Sequence, residues 1–150
     1  MKIRSNFLIS GFVLILLTCC ITNRSGNKTG STGIADLAGK HWKLTELYGK
    51  PFNDTIAEEK PFIVFKMEDS SITGNGGCNS LFGKFLLTEK TLIKISDLGS
   101  TKMACDNMAS EMRYFDALRS AENWTLKNDT LWLRNQNMQS LAGFIHFAGK

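Results

Sequence analysis

The sequence has few of the residues from which enzyme and metal sites are most often built. Two histidines, His41 and His146, and two prolines occur among 150 residues. Two histidines cannot form a multi-histidine metal centre, and neither lies in a motif for a nucleophile and its base. We therefore expect no catalytic residues, no metal and no cofactor, and we interpret the chain as non-enzymatic.

The chain also lacks long runs of one charge. It carries 18 basic and 14 acidic residues, a formal net charge of +4. Both signs are interspersed and no basic stripe of the kind that binds nucleic acid occurs, so we expect no nucleic-acid partner. Hydrophobic residues make up 43% of the chain and aromatic residues 10%, which is enough for the core of one domain.

The N-terminus has the pattern of an export signal followed by a lipidation site. Two basic residues precede an apolar stretch, FLISGFVLILL, that is too short for a spanning helix of about 20 residues. The next residues, Leu17-Thr18-Cys19-Cys20, resemble the bacterial lipobox. We predict lipidation at Cys20, with Cys19 as the alternative. An ordinary cleaved signal peptide with incidental cysteines is the competing interpretation.

These features divide the chain into three parts. We predict a lipoprotein signal peptide at 1–19, a flexible tether at 20–35 rich in Gly, Ser, Thr and Asn, and a folded domain at 36–150. The acyl chains would hold the mature protein on a membrane of the bacterial cell envelope. Because no acidic residue follows the lipidated cysteine, lipoprotein sorting in Gram-negative bacteria favours the outer membrane.

Alternating apolar and polar residues predict about eight short strands within the domain. In the first strand we expect Trp42 and Leu44 on one face and Leu47 on the other. Asn75-Gly76 is a strong hairpin-turn signal, because both residues tolerate positive φ. The fold class is therefore mainly β (α+β), a small antiparallel sheet or barrel with one helix. The predicted strands are 41–48, 61–67, 70–73, 78–87, 91–95, 124–126, 130–133 and 140–147.

One segment, 107–121, has helical periodicity instead. Met108, Met112, Phe115 and Leu118 recur at spacings of four, three and three, which places them on one face of a helix. We interpret this face as part of the core. The three tryptophans are also expected to fill the interior.

Two cysteines, Cys78 and Cys105, remain after the lipidation site is assigned. In an exported protein a pair of this kind most simply forms a disulfide. Two separately buried thiols are the alternative interpretation.

Several motifs together resemble one family. LAGKHWKL at 37–44 resembles the opening of the META domain, GNGGCN at 74–79 followed by FGKF at 82–85 resembles its centre, and TKMAC at 101–105 resembles a later segment. Glu111, Phe115 and Leu118 are similar to the helix that follows. The chain is thereby identified as a member of the HslJ-like META-domain lipoproteins. The residues that carry the resemblance most specifically are Trp42, Gly77, Cys78, Asn79, Gly83, Thr101, Met103 and Cys105.

The resemblance implies a lipocalin-like β-barrel with a helix, an envelope location and an association with heat shock, and it supplies no catalytic residue. We expect a monomeric lipoprotein of envelope stress response or maintenance that binds a protein or another envelope component. Such a protein should expose an apolar patch or a usable sheet edge. One alternative is a carrier of a small hydrophobic ligand inside the barrel. Another is an inhibitor of an envelope hydrolase that uses the hairpin Gly74–Cys78.

Overall fold

The computed structural model describes residues 33–53, 60–88, 91–106 and 108–147, all within one compact unit, residues 31–150. The predicted signal peptide, Cys19, Cys20 and the tether as far as residue 32 lie outside the described residues. The elements in chain order are a 3-10 helix Ile34–Asp36, β1 His41–Leu47, β2 Lys50–Pro51, β3 Phe62–Lys66, β4 Ser71–Asn75, β5 Ser80–Thr88, β6 Leu92–Ser100, α1 Met108–Arg119, β7 Asn123–Lys127, β8 Thr130–Arg134 and β9 Ser140–Phe147.

The nine described strands form one antiparallel sheet that closes into a ring. Their order is β2-β1-β3-β4-β5-β6-β7-β8-β9, and β1 also pairs with β9. The mainly β fold with one helix is thus confirmed, with nine strands instead of about eight. The additional strand is β2, which pairs back onto β1 through a turn whose central residues, Tyr48 and Gly49, both have positive φ. This conformation matches the twist of a tight hairpin.

A β-bulge decides which side chains of β1 enter the core. The pairing register between β1 and β9 shifts between Leu44 and Glu46. Trp42, Leu44 and Leu47 are consequently all buried. The expectation that Leu47 faces away from Trp42 is wrong, because the extra residue of the bulge reverses the alternation.

Large side chains fill the interior of the ring. Trp42 is fully buried and donates its indole N–H to the carbonyl of Leu37 at 3.2 Å. Trp124 is buried as well, as expected, whereas Trp132 is half-buried. The interior therefore consists of close-packed side chains. The largest fully buried ones are Trp42, Tyr114, Phe65, Phe144, Leu37, Leu44, Ile63, Ile72, Leu81, Leu118, Leu131 and Leu133.

Helix α1 packs against β6 and β9, and its buried face includes Phe115 and Leu118, as predicted, but neither of the two predicted methionines. Glu111, Tyr114, Phe115 and Leu118 are buried, at the i, i+3, i+4, i+7 spacing of one helical stripe. Met108 and Met112 lie outside this stripe and are exposed. Their assignment to the core is therefore wrong. In the described part of the chain, no helix is long and apolar enough to cross a membrane.

Candidate functional site

The connection from β4 to β5 folds inward instead of protruding. Residues 75–79 are all buried. The Gly76 N–H donates to the carbonyl of Asn79 at 2.8 Å, and the Gly77 N–H donates to the side-chain oxygen of Asn75. Gly77 has a φ of 111°, a backbone conformation that favours glycine. The hairpin signal instead predicts positive φ at Asn75 and Gly76, and neither residue has it. The predicted turn is thus a longer loop, and β5 begins at Ser80.

Glu111 of α1 binds this loop from the other side. Its side chain is almost fully buried. One carboxylate oxygen accepts the backbone N–H groups of Cys78, at 3.2 Å, and Asn79, at 2.6 Å. The other accepts the side-chain amide of Asn79 at 2.6 Å. A buried acidic side chain needs such partners, because burying a carboxylate without hydrogen bonds lowers the stability of the folded state strongly.

Asn79 extends the contact to a third segment. Its side-chain oxygen accepts the hydroxyl of Thr101 at 2.8 Å and the N–H of Met103 at 2.7 Å. Its amide nitrogen also donates to the Met103 carbonyl at 3.3 Å. The oxygen and the nitrogen of the Asn79 side-chain amide therefore both have hydrogen-bond partners, which fixes the orientation of the amide. We call the loop 76–79, the segment 101–105 and Glu111 the motif junction.

A cysteine pair adds a covalent tie to the motif junction. The sulfur atoms of Cys78 and Cys105 lie within disulfide-bonding distance, with Cα atoms 6.3 Å apart. The bond connects the loop after β4 with the segment that leads into α1.

The motif junction brings together six of the eight motif residues singled out in the sequence. The other two, Trp42 and Gly83, lie elsewhere, Trp42 in the core and Gly83 within β5. A side chain at Gly83 would come within 3.0 Å of the carbonyl oxygen of Ser96 on the neighbouring strand β6. The six residues in the junction are Gly77, Cys78, Asn79, Thr101, Met103 and Cys105.

A cleft of about 300 Å³ opens beside the motif junction. Its walls include three exposed methionines, Met103, Met108 and Met112, with exposed fractions of 57%, 45% and 62%. Asn79 and Glu111 also contribute to its lining. We call this feature the methionine cleft.

A second apolar surface lies on the outside of the sheet. Phe82 and Leu86 point outward from β5 and are 55% and 57% exposed. Phe82 covers Gly99 on β6, and it also borders a shallow depression of about 400 Å³ that reaches Asp97. Lys84, between the two apolar residues on the same strand, is exposed. We call Phe82, Lys84 and Leu86 the β5 face.

Two buried polar atoms of the described residues have no hydrogen-bond partner: the Tyr114 hydroxyl and the Trp124 indole nitrogen. Burial raises the pKa of Tyr114 well above its ordinary value of 10. The hydroxyl therefore stays neutral inside the core, and it contributes no hydrogen bond to the fold.

Both histidines contact aromatic rings. His41 stacks on the ring of Phe62 at 5.3 Å, and His146 lies edge-on to Trp42 at 5.9 Å. Within the described ranges, no group of three His, Cys, Asp or Glu side chains is placed to hold a metal ion. The arrangement offers two surfaces with exposed apolar side chains, the methionine cleft and the β5 face.

Comparison with known proteins agrees with this architecture. The family model of the META domain matches residues 35–145. A Burkholderia xenovorans protein solved by NMR is similar in fold, with a TM-score of 0.60 at 19% identity, over 77% of this chain and 86% of that one. A further NMR structure has a TM-score of 0.57 at 23% identity, over 74% and 92% of the two chains.

A crystal structure of a DUF4847-family protein from Bacteroides vulgatus is also similar. Its TM-score is 0.54 at 17% identity, over 76% of this chain and 96% of that one. No curated protein matches the chain. At these identities, the likeness to solved structures shows the fold alone.

Proposed function

Since the chain belongs to the META-domain family, we propose that it is a non-enzymatic lipoprotein of the bacterial cell envelope, working in envelope stress response or maintenance by binding a protein partner. The proposal places it on the outer membrane, anchored through Cys20. The β5 face is the proposed contact surface. The exposure of Phe82 and Leu86 on the same outward face of β5, with Lys84 between them, is the observation that carries the proposal.

The composition of the β5 face supports this proposal. Exposed aromatic and aliphatic side chains interspersed with polar ones are typical of such sites. Phe82 and Leu86 supply apolar side chains on either side of Lys84, and Asp97 adds a negative charge at the depression beside Phe82. An aromatic side chain that is already packed over a glycine loses little freedom on binding, which favours affinity.

The motif residues support a binding role over a catalytic one. Glu111 and Asn79 use their hydrogen-bonding atoms within the motif junction itself. A general acid or base would instead need to reach a substrate atom.

Two alternatives fit the structure less well. A carrier needs interior space, and the interior of the ring is occupied by side chains such as Trp42 and Phe144. An inhibitor loop at Gly74–Cys78 needs to enter the active site of another protein. Residues 75–78 of this hairpin are buried beneath α1, where Gly76 lies against Glu111 and Phe115, so that expectation loses its basis.

Complementation of a deletion strain tests the proposed function. The strain is challenged with heat and with a membrane-active detergent, then supplied with the wild-type chain or with Phe82→Ser/Leu86→Ser. We expect wild type to restore tolerance and the double variant to fail, since it lacks the apolar side chains of the β5 face. Ile145→Ser is the matched control, because Ile145 is an exposed strand residue on β9, outside that face.

Equal membrane amounts and equal melting temperatures of the variants are required, so that loss of tolerance reports binding rather than folding. A double variant that restores tolerance as well as wild type refutes the β5 face as the contact surface. A deletion strain without sensitivity to either challenge refutes the envelope role.

The anchor is tested separately by weighing the protein extracted from its native membrane. We expect a denatured mass that starts at Cys20 and includes acyl chains. A mass that matches cleavage without acyl chains contradicts the lipoprotein assignment.

A further inference from the structure

The methionine cleft is not explained by packing. Three of the six methionines of the chain line it, and each leaves about half of its side chain in water. Single exposed hydrophobic residues need no explanation. Three residues of one type around one cleft suggest a chemical property that they share, which is the thioether sulfur.

Met108 and Met112 both line the cleft from α1. They are four residues apart, so their Cβ atoms lie about 6 Å from each other on adjacent turns. Each side chain has three rotatable bonds and can adjust the position of its sulfur. Two thioethers of one helix can thus approach the same point in the cleft.

Met103 approaches the cleft from another segment, and its backbone is fixed. Its N–H donates to Asn79 at 2.7 Å, and its carbonyl accepts from the same side chain at 3.3 Å. The side chain is nevertheless 57% exposed. The motif junction therefore holds the backbone of the third methionine in place while its thioether remains available.

The charges around the cleft are compatible with a cation. Glu111 and Lys102 both belong to the lining, but the carboxylate of Glu111 is buried whereas Lys102 is exposed. A buried carboxylate acts through a low dielectric, whereas an exposed ammonium is screened by water.

We propose that Met103, Met108 and Met112 form a three-thioether site for one soft monovalent metal ion of the Cu(I) type. Thioether sulfur is a soft ligand that prefers Cu(I) to hard divalent cations. Within the described residues no cluster of His, Cys, Asp or Glu competes as a metal site. The proposal does not depend on partner binding at the β5 face.

Titration with Ag(I) tests the site, because silver is a soft monovalent ion that needs no reductant and leaves the disulfide intact. The full chain is used in detergent micelles, in chloride-free buffer, with Cys19→Ser and Cys20→Ser so that no free thiol of the N-terminus competes. Methionine methyl groups carry carbon-13, and a mass lower by two hydrogens verifies the Cys78–Cys105 bond.

We expect one equivalent of Ag(I) to shift the methyl signals of Met103, Met108 and Met112 together. Met138 is the internal control, because it is 53% exposed but lies in the turn before β9, outside the lining of the cleft. Its signal, and that of half-buried Met67, should stay in place.

Single substitutions then assign the ligands. Met103→Leu, Met108→Leu and Met112→Leu should each weaken Ag(I) binding by at least on the order of tenfold, because loss of a residue that only supports a metal ligand already has an effect of that size. Met138→Leu should leave the affinity unchanged. Unshifted cleft signals, or a shift of Met138 equal to theirs, overturn the proposal and leave the cleft as an apolar surface only.

Discussion

Replacing Glu111 by glutamine tests whether the buried carboxylate holds the motif junction together. The substitution keeps the shape of the side chain and changes one acceptor oxygen into a donor. The two Glu111 oxygens accept three hydrogen bonds, two from backbone N–H groups and one from the side chain of Asn79. No orientation of a glutamine amide can accept all three.

The size of the effect follows from the bonds that are lost. If the amide oxygen of the introduced glutamine faces the backbone N–H groups, its NH2 group opposes the NH2 group of Asn79. Asn79 cannot turn over to compensate, since its oxygen already accepts from Thr101 and Met103. Loss of one charge-assisted bond and a buried donor without a partner should together lower the free energy of unfolding by about 3 kcal/mol.

Thermal unfolding measures this loss. A decrease of about 3 kcal/mol corresponds to a fall in Tm on the order of 10 °C for a domain of this size. Glu68→Gln is the matched control, because it makes the same chemical change at an exposed position, and it should alter stability by less than about 0.5 kcal/mol. If Glu111→Gln and Glu68→Gln have the same Tm, the carboxylate of Glu111 does not hold the motif junction together.

The remaining predictions concern stability as well. Gly76→Ala places a methyl group within 2.6 to 2.7 Å of buried side-chain atoms and should destabilise the fold by about 1–3 kcal/mol. Gly33→Ala is the control, because the space around Gly33 is open, and equal urea unfolding midpoints of the two variants would contradict this prediction. Reduction of the bond between Cys78 and Cys105, which are 27 positions apart, should lower the free energy of unfolding by about 3.5 kcal/mol according to the chain-entropy relation. An unchanged urea unfolding midpoint after reduction would show that the bond does not restrict the unfolded chain. Tyr114→Phe removes a buried hydroxyl without a partner, so stability should stay equal or rise by about 1 kcal/mol; a clear loss of stability would mean that the hydroxyl has a partner.

Alternation of apolar residues is sufficient to predict most strands, because each strand has one face in the core. It fails in β1, where the bulge after Leu44 brings Leu47 to the same face as Trp42. A bulge depends on the pairing partner, which lies almost a hundred residues away. Alternation within one strand contains no information about it.

The helix shows a similar limit. Hydrophobic periodicity alone selects Met108 and Met112 for the core, yet the buried stripe begins at Glu111. An acidic residue enters a core only when distant backbone donors meet it, here those of Cys78 and Asn79. The detectable signal is the position of Glu111 itself, at the first place of an i, i+3, i+4, i+7 pattern.

The proposed contact at the β5 face is tested most directly by crosslinking in living cells. A photoreactive phenylalanine analogue is placed at Leu86, and at Ile145 as the control, in a strain that makes the full chain at its natural level. We predict a discrete adduct of one protein from position 86 and none from position 145. No adduct from position 86, or the same adducts from both positions, would contradict the account.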